Sequence, residues 1–132
     1  MTDMRMLPDP IGLSAELYAH WARGELRIQR CTACGTWRHP PRFLCAHCGS
    51  ERYAWELTEG RGRVFSWTIT HRAVDPAYTP PYAIVVVELT EGPRLVGSLV
   101  GLEPAELALD LPMVVELEVV SDTIALVAFR PA

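Results

Sequence analysis

Four cysteines carry the clearest chemistry in this 132-residue chain. They fall in two copies of one pattern, Cys31-Thr32-Ala33-Cys34-Gly35 and Cys45-Ala46-His47-Cys48-Gly49. Two residues between cysteines let both sulfurs of a tight turn reach one ion at ~2.3 Å. The glycine after each pair tolerates positive φ, so the backbone can curl around the sulfurs. Two such turns facing each other complete a tetrahedral four-cysteine site. The segment between the pairs is shorter than in many zinc ribbons, but with Pro40 and Pro41 it suffices for a connecting loop. The expected ion is one zinc per chain, held by Cys31, Cys34, Cys45 and Cys48. All four positions are then filled by protein, so the metal is structural and has no open position to activate water. Iron suits the same geometry. Two disulfides or a redox dithiol fit less well, because a thioredoxin-like motif sits in a βαβ unit and is not duplicated. His39 and His47 lie near enough in sequence to replace one cysteine as a ligand, which four well-spaced cysteines make unnecessary.

Other catalytic patterns are missing from the sequence. His20 and His71 stand alone, and no Ser/His/Asp signature, carboxylate pair or phosphate-binding glycine loop is present. Gly60-Arg61-Gly62-Arg63 is too short for such a loop and leads into a strand, where Gly62 is expected to permit a tight bend.

The elements that must position the cysteines can be read from periodicity. Leu13, Leu17, His20 and Trp21 recur at helical spacing, with Ser14 as the expected N-cap and Gly24 as the C′ residue. This predicts a helix over 15–23, too short to be stable alone. Leu26 and Ile28 alternate with Glu25, Arg27 and Gln29, a half-buried strand that runs into Cys31. A second strand, 52–57, leaves the cysteine segment. Beyond Gly60, Phe65, Trp67 and Ile69 alternate with polar residues, which places Phe65 and Trp67 on one core face. Strands over 82–89 and 94–100 form a hairpin around Thr90-Glu91-Gly92-Pro93. A short helix or turn over 103–109 precedes strands over 113–120 and 123–129. Five strands with a helical insert before the fourth fit the closed Greek-key barrel of the OB fold, with an open sandwich as the rival. The expected class is therefore mainly β, divided into an N-terminal segment and helix (1–24), a rubredoxin-like zinc ribbon (25–57) and a five-stranded OB barrel (58–132).

Composition narrows the function. Hydrophobic residues make up 49% and charged residues 21%, the balance of a globular chain. No apolar run reaches the ~20 residues of a membrane span, and the first residues lack the apolar core of a signal peptide. A cytoplasmic setting is expected, where reduced cysteines bind metal. The net charge of −4 is unevenly spread. Residues 1–72 hold ten of the twelve arginines and seven acids, whereas residues 73–132 hold two arginines and nine acids. Phe65, Trp67, Tyr78 and Tyr82 could stack on bases as in single-stranded nucleic-acid-binding OB modules, but an acidic barrel repels a polyphosphate.

The order of helix, ribbon and barrel resembles the zinc-ribbon/OB-fold accessory proteins of acyl-CoA metabolism, formerly a domain of unknown function. The similar stretches are Gly24 through Cys31, Pro40-Pro41-Arg42 through Gly49, Gly60-Arg61-Gly62-Arg63-Val64-Phe65-Ser66-Trp67-Thr68, and Phe129-Arg130-Pro131. They are spread over most of the chain, and Pro-Pro-Arg before the third cysteine with Gly-x-Gly-x-Val after the ribbon makes the combination specific. The resemblance implies a non-catalytic subunit, not an enzyme, that binds a thiolase-like enzyme of lipid or steroid degradation, including steroid side-chain aldolases. A MaoC-like enoyl-CoA hydratase is the alternative partner, and the lack of a fused hydratase domain in this sequence favours the thiolase-like one. A heterotetramer with two copies of each subunit is expected.

The same resemblance implies an acyl-CoA ligand. Arg23, Arg27, Arg30, Arg38 and Arg42 surround the helix and ribbon and would meet its phosphates, with Trp21 covering the adenine or the acyl chain. Leu17, Tyr18 and Trp21 on the helix, and Tyr78 and Tyr82 in a proline-rich loop, are the expected partner interface.

Overall fold

A computed structural model describes residues 4–132. Helix α1 spans Gly12–Trp21. It begins three residues earlier than periodicity predicts: Ile11 occupies the N-cap position without a side-chain cap bond, and its carbonyl accepts the Ser14 N–H at 3.1 Å. Ser14 is therefore inside the helix and caps nothing. The C-terminus comes two residues earlier than predicted: the helix ends at Trp21 with Ala22 as its C-cap, so Gly24, at φ 81° and with its N–H on the Trp21 carbonyl at 2.9 Å, stands one place beyond the C′ position.

The ribbon is a three-stranded antiparallel sheet of β1 (Arg27–Cys31), β2 (Trp37–Arg38) and β3 (Tyr53–Leu57), with β1 in the middle. That central place overrides the alternation read from sequence. Ile28 faces the main core, while Gln29 faces the loop between the cysteine pairs and is fully buried. Its amide closes two bonds with one residue, donating from Nε2 to the Arg42 carbonyl at 2.9 Å and accepting the Arg42 N–H at 2.8 Å. A buried amide is tolerable because both its ends are hydrogen-bonded.

The second half is a closed barrel in the order β4-β5-β6-β8-β7. Its strands are β4 (Arg61–Thr70), β5 (Tyr82–Leu89), β6 (Arg94–Leu99), β7 (Pro112–Val119) and β8 (Ala125–Pro131), with a 3-10 turn at Pro104–Glu106 before β7. In β5 the apolar run resolves into alternation. Ala83, Val85, Val87 and Leu89 point inward, joined by Val64, Leu95, Met113 and Phe129. β6 and β8 run parallel and the other pairs antiparallel, which closes the sheet on itself.

One expectation on β4 fails. The register against β5 shifts between Val64 and Ser66. A bulge inserts one residue and re-aims the side chains beside it. Val64 is buried, and Phe65 is turned out to 45% exposure under the Arg94 guanidinium, 3.7 Å from its ring centroid. Trp67 and Ile69 pack against the core as expected.

Leu17, Trp21, Leu26 and Ile28 belong to the same apolar cluster as the barrel residues. Glu16 fixes the helix to the ribbon from outside, accepting from Trp55 Nε1 and Tyr53 Oη, each at 3.1 Å.

Candidate functional site

The four cysteine sulfurs all lie within 4.8 Å of one another. Cys31 and Cys48 Sγ are 3.6 Å apart, as are Cys34 and Cys45 Sγ. Tetrahedral bonds of ~2.3 Å to a common centre place sulfurs ~3.8 Å apart, so the cluster has the dimensions of a metal site. Each pair sits on the same turn. Gly35 (φ 81°) donates to the Cys31 carbonyl at 2.9 Å, and Gly49 (φ 77°) to the Cys45 carbonyl at 2.8 Å. Cys31 and Cys45 are buried, while Cys34 and Cys48 are exposed.

The electrostatics favour the thiolate at two of the four positions, Cys31 and Cys45. The backbone N–H of Cys34 holds the Cys31 thiol down at about 6. The N–H of Cys48 lowers Cys45 in the same way. Cys48 is pushed up to about 11: the Ser50 backbone pulls it down, but burial and the three neighbouring sulfurs outweigh that pull. Four thiolates at this spacing repel one another unless a cation sits among them, and soft sulfur ligands in a tetrahedron select zinc or iron.

The arginines around the ribbon do not converge. Arg38 is 5% exposed and acts as an internal strut, donating to the carbonyls of Arg42, Ser50 and Arg52 at 3.0–3.2 Å. Arg30 pairs with Glu56 at 2.9 Å, donates to the Gly35 carbonyl at 2.8 Å and lies over Trp37. Arg27 donates to the Trp55 carbonyl and to Glu25. Arg23 contacts His20 Nδ1 at 2.8 Å but remains exposed. The Arg42 side chain is exposed as well. Of the six residues expected to meet CoA, Arg23 and Arg42 keep accessible cationic ends; Trp21 is buried and donates from Nε1 to the Arg27 carbonyl at 3.0 Å.

A groove of about 670 Å³ runs between α1, the loop before β5 and strands β5, β6 and β8. Tyr18, Trp21, Tyr78, Tyr82, Leu99 and Leu102 are among its walls. Tyr78 and Tyr82 stand 5.3 Å apart, and Tyr18 meets Trp21 edge-on at 5.5 Å. Four of the five residues expected at a partner interface thus line one cavity. Leu17 does not: it is 4% exposed in the chain's own core, because the short helix finds its surface on the ribbon and barrel. Nothing in the local pattern of 84–102 announced the far wall, which forms only when β6 crosses to β8.

His39, held against Trp21 with ring centroids 6.0 Å apart, is lowered to about 4 by burial, and its Nδ1 has no hydrogen-bond partner among the described residues. It stands outside the sulfur cluster, as the cysteine spacing suggests. His47 is exposed. Among the described residues no helix is long and apolar enough to cross a membrane.

Comparison with known proteins accounts for both halves of this arrangement. The rubredoxin-like zinc ribbon domain of ChsH2 matches residues 19–54, and the C-terminal OB-fold domain of ChsH2 matches residues 55–118. A solved Ltp2–ChsH2(DUF35) aldolase contains a chain 38% identical to this one, with a TM-score of 0.86 over 94% of this chain and 98% of that one. The chain belongs to the ChsH2/DUF35 family. Within the family it is 44% identical over 109 residues to a probable enoyl-CoA hydratase alpha subunit of Thermomonospora curvata. It is 34% identical over 79 residues to a DUF35 domain-containing scaffold protein of Methanocaldococcus jannaschii. The alignments cover 81% and 58% of this chain, but the chain spans only about a third of the first relative's length (34%) and about half of the second's (56%). Family membership and sulfur geometry together make the cysteine cluster a metal site of the zinc-ribbon type.

Proposed function

We propose that this chain is a non-catalytic subunit that binds a thiolase-like enzyme of the aldolase or thiolase type and helps hold that enzyme's acyl-CoA. The observation that carries the reading is the match over nearly the whole chain to one component of an Ltp2–ChsH2(DUF35) aldolase. The scaffold name of the archaeal relative supports the accessory role. One structural zinc per chain, on Cys31, Cys34, Cys45 and Cys48, locks the ribbon and takes no part in chemistry, since four protein ligands leave no position open.

The chain's own residues divide the work. Arg23 and Arg42 are the arginines left to meet CoA phosphates. The groove walled by Tyr18, Trp21, Tyr78 and Tyr82 presents apolar rings with hydroxyl handles, the mixture that suits an acyl group or a partner surface. The assembly has two copies of each subunit. A second reading, partnership with a MaoC-like enoyl-CoA hydratase, is favoured by the hydratase alpha-subunit relative.

Co-expression with candidate enzymes from the same genome tests this. A thiolase-like protein should co-purify in a complex whose native mass gives two copies of each subunit, and carbon–carbon cleavage or acyl transfer should require both chains. Arg23→Ala with Arg42→Ala should weaken CoA binding to the assembled complex. Turnover of an acyl-CoA by this chain alone would overturn the assignment. Binding only to a hydratase would replace the first partner with the second.

A further inference from the structure

The loop from β4 to β5, residues 71–81, carries one wall of the groove: Tyr78 and Pro81 line it, and Tyr82 opens the next strand. Loops are usually mobile, so the place of Tyr78 beside Tyr82 depends on what holds the backbone between them and β4. Asp75 does this locally. Its Oδ1 accepts the Ala77 N–H at 2.9 Å, and its carbonyl accepts the Tyr78 N–H at 3.2 Å. The turn therefore ends on a residue that lines the groove.

The same carboxylate is used a second time. Oδ2 accepts the N–H of Met6 at 2.9 Å, from a residue 69 positions earlier in the chain. Beside it, Arg5 sets its guanidinium on both oxygens of Glu118 in β7, at 2.8 and 2.9 Å. Glu118 pairs in register with Leu126 of β8, another groove residue. Two adjacent residues before α1 thus tie the tyrosine loop to the barrel wall. The segment then passes through Pro8 and Pro10, which restrict its backbone, into α1, whose Tyr18 and Trp21 also line the groove.

Burial does not hold this segment. No described residue before α1 is buried, Met6 is 77% exposed, and none belongs to the apolar cluster. Its grip is polar: a bidentate guanidinium–carboxylate pair, whose geometry is specific, and a backbone bond to Asp75. Exposed contacts of this kind contribute little each, so they can release without unfolding the barrel.

We propose that Arg5-Met6 is a releasable strap and Asp75 its positioning residue: with the strap in place Tyr78 is held in the groove wall, and with it released the wall loosens and the groove opens. The inference rests on the acyl-group use of the groove proposed above and names what controls access to it. A wall ordered in advance spares the ligand the cost of ordering it, and a weakly held strap lets a bulky apolar group enter before the wall closes.

Amide exchange of the full chain, read by NMR at Ala77 and Tyr78, tests the strap. Glu118→Gln and Arg5→Ala should each speed exchange there about tenfold, and both together no more than either alone, since they remove one contact. Glu116→Gln, which breaks the Arg130 pair on the same strand, is the matched control and should leave the loop as in the wild type. Metal content and melting temperature should stay unchanged in all of these. Asp75→Ala, which removes the turn as well, should exceed Glu118→Gln. Exchange at Tyr78 within twofold of the wild type in Glu118→Gln overturns the strap, and so does equal acceleration by Glu116→Gln, which would mark a general loosening of β7. Its effect on ligand is read in the assembled complex with octanoyl-CoA and CoA as probes. Glu118→Gln should weaken octanoyl-CoA several-fold and leave CoA unchanged. Faster loop exchange with both probes weakened equally, or neither, overturns control of the groove by the strap. A wild-type complex that holds octanoyl-CoA no more tightly than CoA would remove the acyl group from the groove, while exchange alone would still uphold or overturn the strap.

Discussion

Gly62 lies against the carbonyl oxygen of Glu88 across the β4–β5 pair, so close that a Cβ on Gly62 would overlap it and come within 2.8 Å of Val87 Cγ1. Gly62 also pairs with Met113 on its other side, where β7 closes the barrel. Its conformation is not left-handed, so the expectation of a turn glycine is replaced by a close-approach glycine. Gly62→Ala should cost about 1–3 kcal/mol through overpacking, seen as a melting temperature lowered by several degrees. An unchanged melt would mean that β4 and β5 can separate freely at this point.

Loss of the metal should act first on the ribbon. Cys34→Ser should drop metal content well below one equivalent per chain in reduced protein. Structural zinc contributes on the order of 10 kcal/mol in small modules, so amide exchange in β1 and β3 should accelerate strongly. The amides of Val85 and Val87 should remain the slowest, yet exchange faster than in the wild type, because Leu26 and Ile28 share their apolar cluster. Full metal content in the variant would remove Cys34 from the ligand set.

His39 gives a pH dependence with a definite sign. Burial lowers it from its usual 6.5 to about 4 in the folded chain. Between these values the unfolded state takes up a proton and the folded state does not, so stability falls as pH drops from 6.5 to 4. The contribution is on the order of 3 kcal/mol. Acid also releases metal from thiolates, so the informative quantity is the difference between the wild type and His39→Phe. That difference in unfolding free energy should change across pH 6.5 to 4 and flatten above it. A constant difference would mean that His39 protonates as readily folded as unfolded.

The Gln29 clamp can be weighed by two variants. Gln29→Leu removes both bonds to Arg42 and should cost about 1–3 kcal/mol in denaturant unfolding, because a buried N–H loses its acceptor. Gln29→Glu keeps an acceptor but turns a charge toward the Arg42 carbonyl in a fully buried place, and should be worse at neutral pH. Equal stability of the Glu variant and the wild type would show that water reaches this side of the ribbon.

The metal cluster was legible because Cys-x-x-Cys-Gly encodes its own turn: spacing, glycine and ligand are local. The barrel strands were legible from alternation, which survives where one face is buried. Four features were not. Phe65 was misplaced because a bulge shifts the register by one residue and leaves no mark on composition. Gln29 reads as a solvent-face residue until the loop from Pro40 to Arg42 folds over it. The groove draws its walls from α1, the loop before β5, and strands β5, β6 and β8, and no single stretch of sequence carries its shape. The helix start moved for a weaker reason, since the Ile11 carbonyl receives the Ser14 N–H and the serine hydroxyl has no helix end left to cap.

Barrel closure has a consequence for how the protein behaves at high concentration. The parallel pairs Ser98–Ala128 and Leu99–Phe129, with the β4–β7 pairs, leave no barrel strand with an open side. A sheet without edges offers no template for the strand-to-strand stacking that starts aggregation. The exposed edges belong to the ribbon, where β2 is only two residues long and β3 is tied at Tyr53 and Trp55 to Glu16. With the ribbon folded, the chain is protected from forming fibrous or amorphous deposits. Chelation is the treatment that uncovers strands, so turbidity should follow metal removal, while moderate warming of the loaded protein leaves the solution clear.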